Sequence, residues 1–234
     1  MYQGFIIKWY HVFTNAFFLI RRGIYTILAK EAKNLSGSVM DFGCGNKPYE
    51  ALFVHVDKYI GLDIEESGNS GLKKADVYYD GKNIPFSDNY FDNIFCSEVF
   101  EHVFNLEEII PEMNRVLKPG GKMLITCPFT WPEHEVPYDY ARYTSYGIKH
   151  LLEKNGFTVE RQYKSGHMFE VIMQQFIFYI FCLIPKQKLV YYILHQLLIL
   201  PGIVFTLIIN KLLFGKLIRK ELYHNNVIVV TKNN

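Results

Sequence analysis

The stretch Val39-Met40-Asp41-Phe42-Gly43-Cys44-Gly45 decides the fold. Its apolar start and Gly-x-Gly end read as a strand closing in a tight turn, and Pro48 then stands where the first turn of a helix tolerates proline. A second strand, Tyr59-Ile60-Gly61-Leu62-Asp63, ends in an acid 18 residues beyond Gly45. Strand, glycine turn and acid together make a nucleotide-cofactor signature. The glycines let backbone approach a ligand closely, and the carboxylate can accept hydrogen bonds from both ribose hydroxyls. A dinucleotide fingerprint wants a third glycine, which is missing here, so NAD or FAD fits less well.

Outward from this stretch the chain alternates. Asp76–Tyr79 and Phe91–Cys96 read as a third and fourth strand. Leu106, Ile109, Ile110, Met113 and Leu117 recur at helical spacing, with Asn105 and Glu108 placed like a capping box and Pro111 set to kink or delay the helix. Lys118-Pro119-Gly120-Gly121 reads as a helix stop and turn before a fifth strand, Lys122–Cys127. A helix from Ser145 to Asn155-Gly156, a strand from Thr158-Val159 and a last strand over Val227–Val230 complete the series. Such alternation predicts an α/β fold with a mostly parallel sheet flanked by helices.

The 234 residues carry a formal charge of +2, 50% hydrophobic and 21% charged side chains. That balance excludes a disordered chain and argues against an electrostatic nucleic-acid partner. Four scattered cysteines, with no CxxC pair and no histidine at zinc spacing, read as reduced cytosolic thiols and predict no metal centre. Yet the mean hydropathy is +0.03 and 16% of residues are aromatic. The apolar excess lies in an aromatic N-terminus, whose Lys8, His11, Arg21 and Arg22 argue against a signal peptide, and in two runs, Phe169–Ile184 and Leu189–Phe214. The second run exceeds the roughly 20 residues that span a bilayer but is broken by Pro201-Gly202. Either the runs cover a core or a dimer face, or they form a helical hairpin at a membrane, with Lys211, Lys216, Arg219 and Lys220 at the head groups. A two-pass span would strand Lys186 and Lys188 on the far side, which favours interfacial binding.

The motifs resemble one family. Asp41-Phe42-Gly43-Cys44-Gly45 is similar to the glycine motif of class I S-adenosylmethionine-dependent methyltransferases, and Asp63 to their ribose-binding acid. Asp80-Gly81-Lys82-Asn83-Ile84-Pro85-Phe86 with Phe91-Asp92, then Ser97-Glu98-Val99-Phe100-Glu101-His102-Val103, then Arg115-Val116-Leu117-Lys118-Pro119-Gly120-Gly121 resemble blocks of the type 11 subgroup in the same order. The resemblance covers residues 36–160 and 225–232 and implies a Rossmann-like sheet with an apolar helical insertion before the last strand. It divides the chain into an N-terminal helical extension (1–35), a methyltransferase domain (36–167 and 223–234) and the insertion (168–222).

S-adenosyl-L-methionine is the cofactor the resemblance implies. Asp41 and the Gly43, Cys44 and Gly45 backbone would face its methionine moiety and Asp63 its ribose. Asp80 and the Gly81 amide would meet adenine, with Cys96 and Ser97 contacting the methionine end through backbone. Asp92 reads as a turn or edge acid, and Glu101 and His102 as residues that cap or orient the loop after the fourth strand.

The 17-residue connection Pro128–Thr144 is long enough to be functional. Its Trp131, Glu133, His134, Tyr138, Asp139 and Arg142 suit an amphipathic ring, with a lid packed on the sheet as the structural alternative. A similar stretch occurs in subgroup members associated with cell-surface polysaccharide or lipid biosynthesis. If the acceptor is a hydroxyl, His134 is the first choice of base, ahead of His102, Glu133 and Asp139. The expected partner is a small or lipid-linked acceptor, and the expected location is the cytoplasm or the inner face of the membrane. Competing functions are a nicotinamide-dependent oxidoreductase and a non-catalytic cofactor-binding protein at a membrane.

Overall fold

The computed structural model describes residues 5–65, 74–185, 187–212 and 219–234. Phe214, Lys216, Lys186 and residues 1–4 of the expected extension lie outside the described residues. In chain order the elements are α1 (Phe18–Glu31), β1 (Gly37–Phe42), β2 (Val56–Ile64), β3 (Val77–Tyr79), β4 (Phe91–Ser97), α2 (Leu106–Val116), β5 (Leu117–Pro128), α3 (Ser145–Lys154), β6 (Phe157–Lys164), α4 (Met168–Leu183), α5 (Lys188–Leu194), α6 (Leu200–Leu212) and β7 (Asn225–Lys232). They divide into two compact units, Met1–Thr26 with Lys164–His224, and Ile27–Tyr163 with Asn225–Asn234.

The second unit is built on the sheet. Its strand order is β3-β2-β1-β4-β5-β7-β6. β1 pairs in parallel with both β2 and β4, β4 with β5, and β7 runs antiparallel to β5. The chain leaves β1 toward β2 on one side and returns to β4 on the other, so β1 and β4 flank the switch point where open α/β sheets hold ligands. Val39, Met40, Phe42, Ile94, Phe95 and Cys96 are all buried, as strands covered on both faces require. The apolar stripe of α2, Leu106, Ile109, Ile110, Met113 and Val116, closes the core on one face.

Several local expectations are corrected. No α-helix follows the glycine turn: the chain makes only a 3-10 turn over Glu50–Leu52. Lys118-Pro119-Gly120-Gly121 is not a turn between elements but lies inside β5, because Phe91 pairs with Leu117 and Asn93 already with Lys122, leaving the intervening residues as a bulge. The Asn105–Glu108 capping box does not form. The Asn105 amide donates instead to the Gly81 carbonyl and the Glu108 carboxylate, both at 3.2 Å. Pro111 neither ends nor delays α2, which carries it internally and forgoes one backbone donor.

The first unit is helical. Ile7, Val12, Ala16, Phe18 and Leu19 pack with Ile177, Ile184, Ile199 and Ile203 in one apolar cluster. Gln174 donates to the Ala16 carbonyl at 2.9 Å and Gln196 to that of Phe13 at 2.7 Å. Pro201-Gly202 does not break the second run. A π-helical turn over His195–Ile199 joins α5 to α6 and absorbs the donor that proline lacks. The resulting Lys188–Leu212 helix is long and apolar enough to cross a membrane, and little of it is buried.

Candidate active site

The glycine turn sits at the carboxyl end of β1. Gly43 and Gly45 have φ of 68° and 50°, values that a β-carbon disfavours. The Gly43 and Cys44 amides donate to the Leu62 carbonyl at 2.8 and 3.1 Å, which folds the turn over the end of β2. The Gly45 amide donates to the Asp63 carboxylate at 2.8 Å. A β-carbon on Gly43 would strike Val99, whereas one on Gly45 or Gly81 would enter open space. The turn is therefore backed by protein at Gly43 and open at Gly45.

The pocket's charge is acidic. Asp41 is buried on β1 and takes a 2.7 Å hydrogen bond from the Tyr59 hydroxyl. Burial pushes its carboxyl up to about 7, with Asp63 and Glu50 adding like charge. Burial and these carboxylates push the Cys44 thiol to about 12, so Cys44 is an inert packing residue. Lys47 pairs with Asp76, which also accepts from the Gly61 amide at 2.7 Å. Asp80 follows β3 and accepts the Lys82 and Asn83 amides at 2.8 Å each, which hold its carboxyl below the usual range. Asn105 ties this turn to the start of α2 through Gly81.

Cys96 is buried near the end of β4, and the next side chain, Ser97, meets Thr126 on β5 at 2.9 Å. Two acids follow that the sequence reading did not place in the site. Glu98, held at φ 55°, is half-buried and accepts from the Thr126 hydroxyl at 2.6 Å and the Asn225 amide at 2.7 Å. Glu101 has zero exposure, and neither of its carboxylate oxygens has a hydrogen-bond partner among the described residues. Burial raises both carboxyls, Glu98 to about 7 and Glu101 well above the usual range. Their spacing by three residues just past a buried strand was the available signal. Asp92, in contrast, is structural: it accepts from the Ser38 amide and hydroxyl and from Lys118.

The 128–144 connection folds back onto this point. The Tyr140 amide donates to the Glu101 carbonyl at 2.8 Å, and His102 Nδ1 to the Tyr138 carbonyl at 2.7 Å. His102 therefore does orient the loop, while the Glu101 side chain caps nothing. Arg142 grips Asp139 with two bonds of 2.5 and 2.6 Å and also donates to the Trp131 and Pro132 carbonyls. That pairing holds the Asp139 carboxyl at about 2, too low for a base at neutral pH. His134 Nδ1 lies 3.2 Å from Asp139, and its ring meets that of His102 edge-on at 4.8 Å. Desolvation, reinforced by His102, lowers the His134 pKa and keeps the ring neutral. Glu133 and Tyr138 are exposed, and Trp131 is half-buried.

The model of a family described as "Methyltransferase domain" matches residues 40–125, from the middle of β1 through β5. That segment is similar to a methyltransferase domain. A ubiquinone/menaquinone biosynthesis C-methyltransferase of Shewanella baltica is 40% identical over 134 residues, 49% of this chain and 53% of that protein. The chain thus spans about half the length of the curated relatives it matches. An S-adenosylmethionine-dependent methyltransferase from Mesorhizobium loti has the same fold at 13% identity, with a TM-score of 0.55 over 94% of this chain and 100% of its own. So does Haemonchus contortus phosphoethanolamine N-methyltransferase 2 in complex with S-adenosyl-L-methionine, at 18% identity and a TM-score of 0.55 over 95% of this chain and 55% of that one.

Proposed function

We propose that the chain transfers a methyl group from S-adenosyl-L-methionine to an amphipathic ring, sugar or quinone, carried on an apolar tail. The observation that carries the cofactor reading is the pairing of the Gly45 amide with Asp63 at the switch point of the sheet. The surroundings fit that ligand. The open cradle at Gly45 and Gly81 leaves room for it, and the enclosed carboxylates of Asp41 and Asp63 suit a molecule bearing ammonium and sulfonium charge. A nicotinamide cofactor is poorly served, because no helix N-terminus follows the turn to receive a pyrophosphate.

When bound, the cofactor supplies a methyl group on a sulfonium, open to in-line displacement. The chain's own residues bind, align and exclude water, so proximity supplies much of the rate. Asp63 holds the ribose hydroxyls, Asp41 balances the cationic methionine end, Asp80 and the Gly81 amide meet adenine, and the Cys96–Ser97 backbone closes the strand side. Trp131, Glu133, Tyr138 and the Asp139–Arg142 pair shape the acceptor face. His134 and His102 each keep one ring nitrogen unprotonated, able to take the proton of a hydroxyl acceptor when that nitrogen holds no metal ion.

The helical unit supports a lipid-borne acceptor. Trp9 at 76% exposure, Tyr10, Phe13, Phe176, Tyr179 and Leu189 are exposed apolar side chains of this unit, as Lys8, Lys188 and Lys211 are exposed cations, the chemistry of an interfacial anchor. The relatives named as quinone C-methyltransferases add a precedent for such rings. The test compares cofactor turnover with a prenylated quinol or polyprenyl-linked sugar in mixed micelles against the same rings without tails. Faster turnover of one tailed acceptor is expected; equal turnover of its tail-less form refutes the membrane part.

A further inference from the structure

Glu101, His102 and His134 each offer a ligand atom, and the three atoms lie within 4.8 Å of one another. Glu101 is the anomaly: a fully buried carboxylate with no hydrogen-bond partner among the described residues and with His102 Nε2 at 3.7 Å. A buried carboxylate is costly unless it is paired or coordinates a metal. Both imidazoles are prepared for ligation. The Tyr138 carbonyl only accepts, so His102 Nδ1 carries the proton and Nε2 keeps its lone pair. His134 Nδ1 faces the Asp139 carboxylate and the Pro132 carbonyl, which likewise leaves Nε2 as the donor. A ligand histidine whose other nitrogen is held by a carboxylate or carbonyl is the arrangement that orients rings on metals.

The charge agrees. Glu98, Glu101 and Asp139 set three carboxylates against the one guanidinium of Arg142, and Asp139 already engages that guanidinium. We propose that Glu101, His102 and His134 form a binding site for a divalent transition-metal cation, with its open positions toward the acceptor loop. Two imidazoles and a carboxylate favour zinc, iron(II), cobalt(II) or nickel(II) over magnesium or calcium. With bonds of about 2.1 Å, ligand atoms stand about 3–4 Å apart, so the three donors need close by only about an ångström. The sequence reading expected no metal because the donors are two neighbours and a residue 32 positions later, outside any zinc-finger spacing.

The binding claim stands apart from methyl transfer; only its use, holding an oxygen of the acceptor, rests on the proposed function. The test titrates the chelator-treated full chain with cobalt(II), followed by visible ligand-field bands, and in parallel with S-adenosylhomocysteine by calorimetry. One cobalt per chain is expected. Glu101→Gln and His134→Asn should each weaken it by at least about tenfold, and Asp139→Asn by about tenfold through His134. All three should keep S-adenosylhomocysteine affinity, which also certifies their folding. Absence of cobalt binding, or equal binding in every variant, overturns the site. Cobalt binding as described without any S-adenosylhomocysteine binding would instead remove the cofactor reading and leave the metal site standing.

Discussion

Gly43 and Gly45 share a backbone region but face different surroundings, and alanine at each should separate fold from ligand. At Gly43 the added methyl would lie 2.5 and 2.6 Å from the two Val99 methyls at a φ of 68°. Left-handed backbone costs an L-residue about 1–2 kcal/mol, and overpacking about 1–3 kcal/mol more. Gly43→Ala should therefore destabilise by about 2–5 kcal/mol. Gly45→Ala meets nothing within 4 Å and should lose only the backbone part, about 1–2 kcal/mol. Its methyl instead enters the space the cofactor needs, so S-adenosylhomocysteine affinity should fall by about tenfold or more, as loss of roughly 1.4 kcal/mol would give. Val99→Ala combined with Gly43→Ala should recover the overpacking part, giving a favourable coupling of about 1–3 kcal/mol in a double-mutant cycle. Urea midpoints followed by circular dichroism, and calorimetry with S-adenosylhomocysteine, measure both effects. Equal destabilisation by the two alanines, or undiminished binding to Gly45→Ala, would refute the cradle.

Other outcomes follow from the same geometry. Asp41 keeps its proton longer folded than unfolded, so stability should fall as pH rises from about 4 to about 7, by at most about 4 kcal/mol; Asp41→Asn should flatten that slope over the same range in urea titrations, and an unchanged slope counts against it. Asp139, held at about 2 by Arg142 with its side chain enclosed, contributes about 2 kcal/mol above pH 4 that is lost as pH falls toward 2. Asp139→Asn should then speed exchange of the His134 amide, which donates to Asp139, at neutral pH and less so below pH 4. Arg115 donates to the Phe86 and Ile84 carbonyls at 2.8 Å each. Arg115→Ala should cost about 2–4 kcal/mol by orphaning them, and an unmoved thermal midpoint would contradict that clamp.

The alternation from Ser38 to Val159 was legible because buried parallel strands read as short apolar runs between turn residues. The glycine turn and its strand-end acid were legible for a related reason: both are tied to local backbone needs, as the Gly45 amide donating to Asp63 shows. Harder to read were features set by neighbours distant in sequence. Lys118-Pro119-Gly120-Gly121 reads as a turn until β4 is laid beside it and pairing resumes at Asn93 and Lys122. Asn105 reads as a cap until the Gly81 carbonyl arrives as a competing acceptor. Glu98 and Glu101 read as polar loop residues because a sequence does not report burial, and His102 meets His134 only because the β5 connection folds back over the end of β4. In the helical unit the long runs were plain, but the π-helical turn that carries Pro201 within one continuous helix was not.

The central claim is that the glycine turn and Asp63 hold S-adenosylmethionine, and calorimetry of the full chain with S-adenosylhomocysteine, with NADH as the control ligand, tests it most directly. Micromolar binding of S-adenosylhomocysteine, lost in Asp63→Ala and absent for NADH, is the predicted result. Binding of NADH alone, or S-adenosylhomocysteine binding that ignores Asp63→Ala, would contradict it.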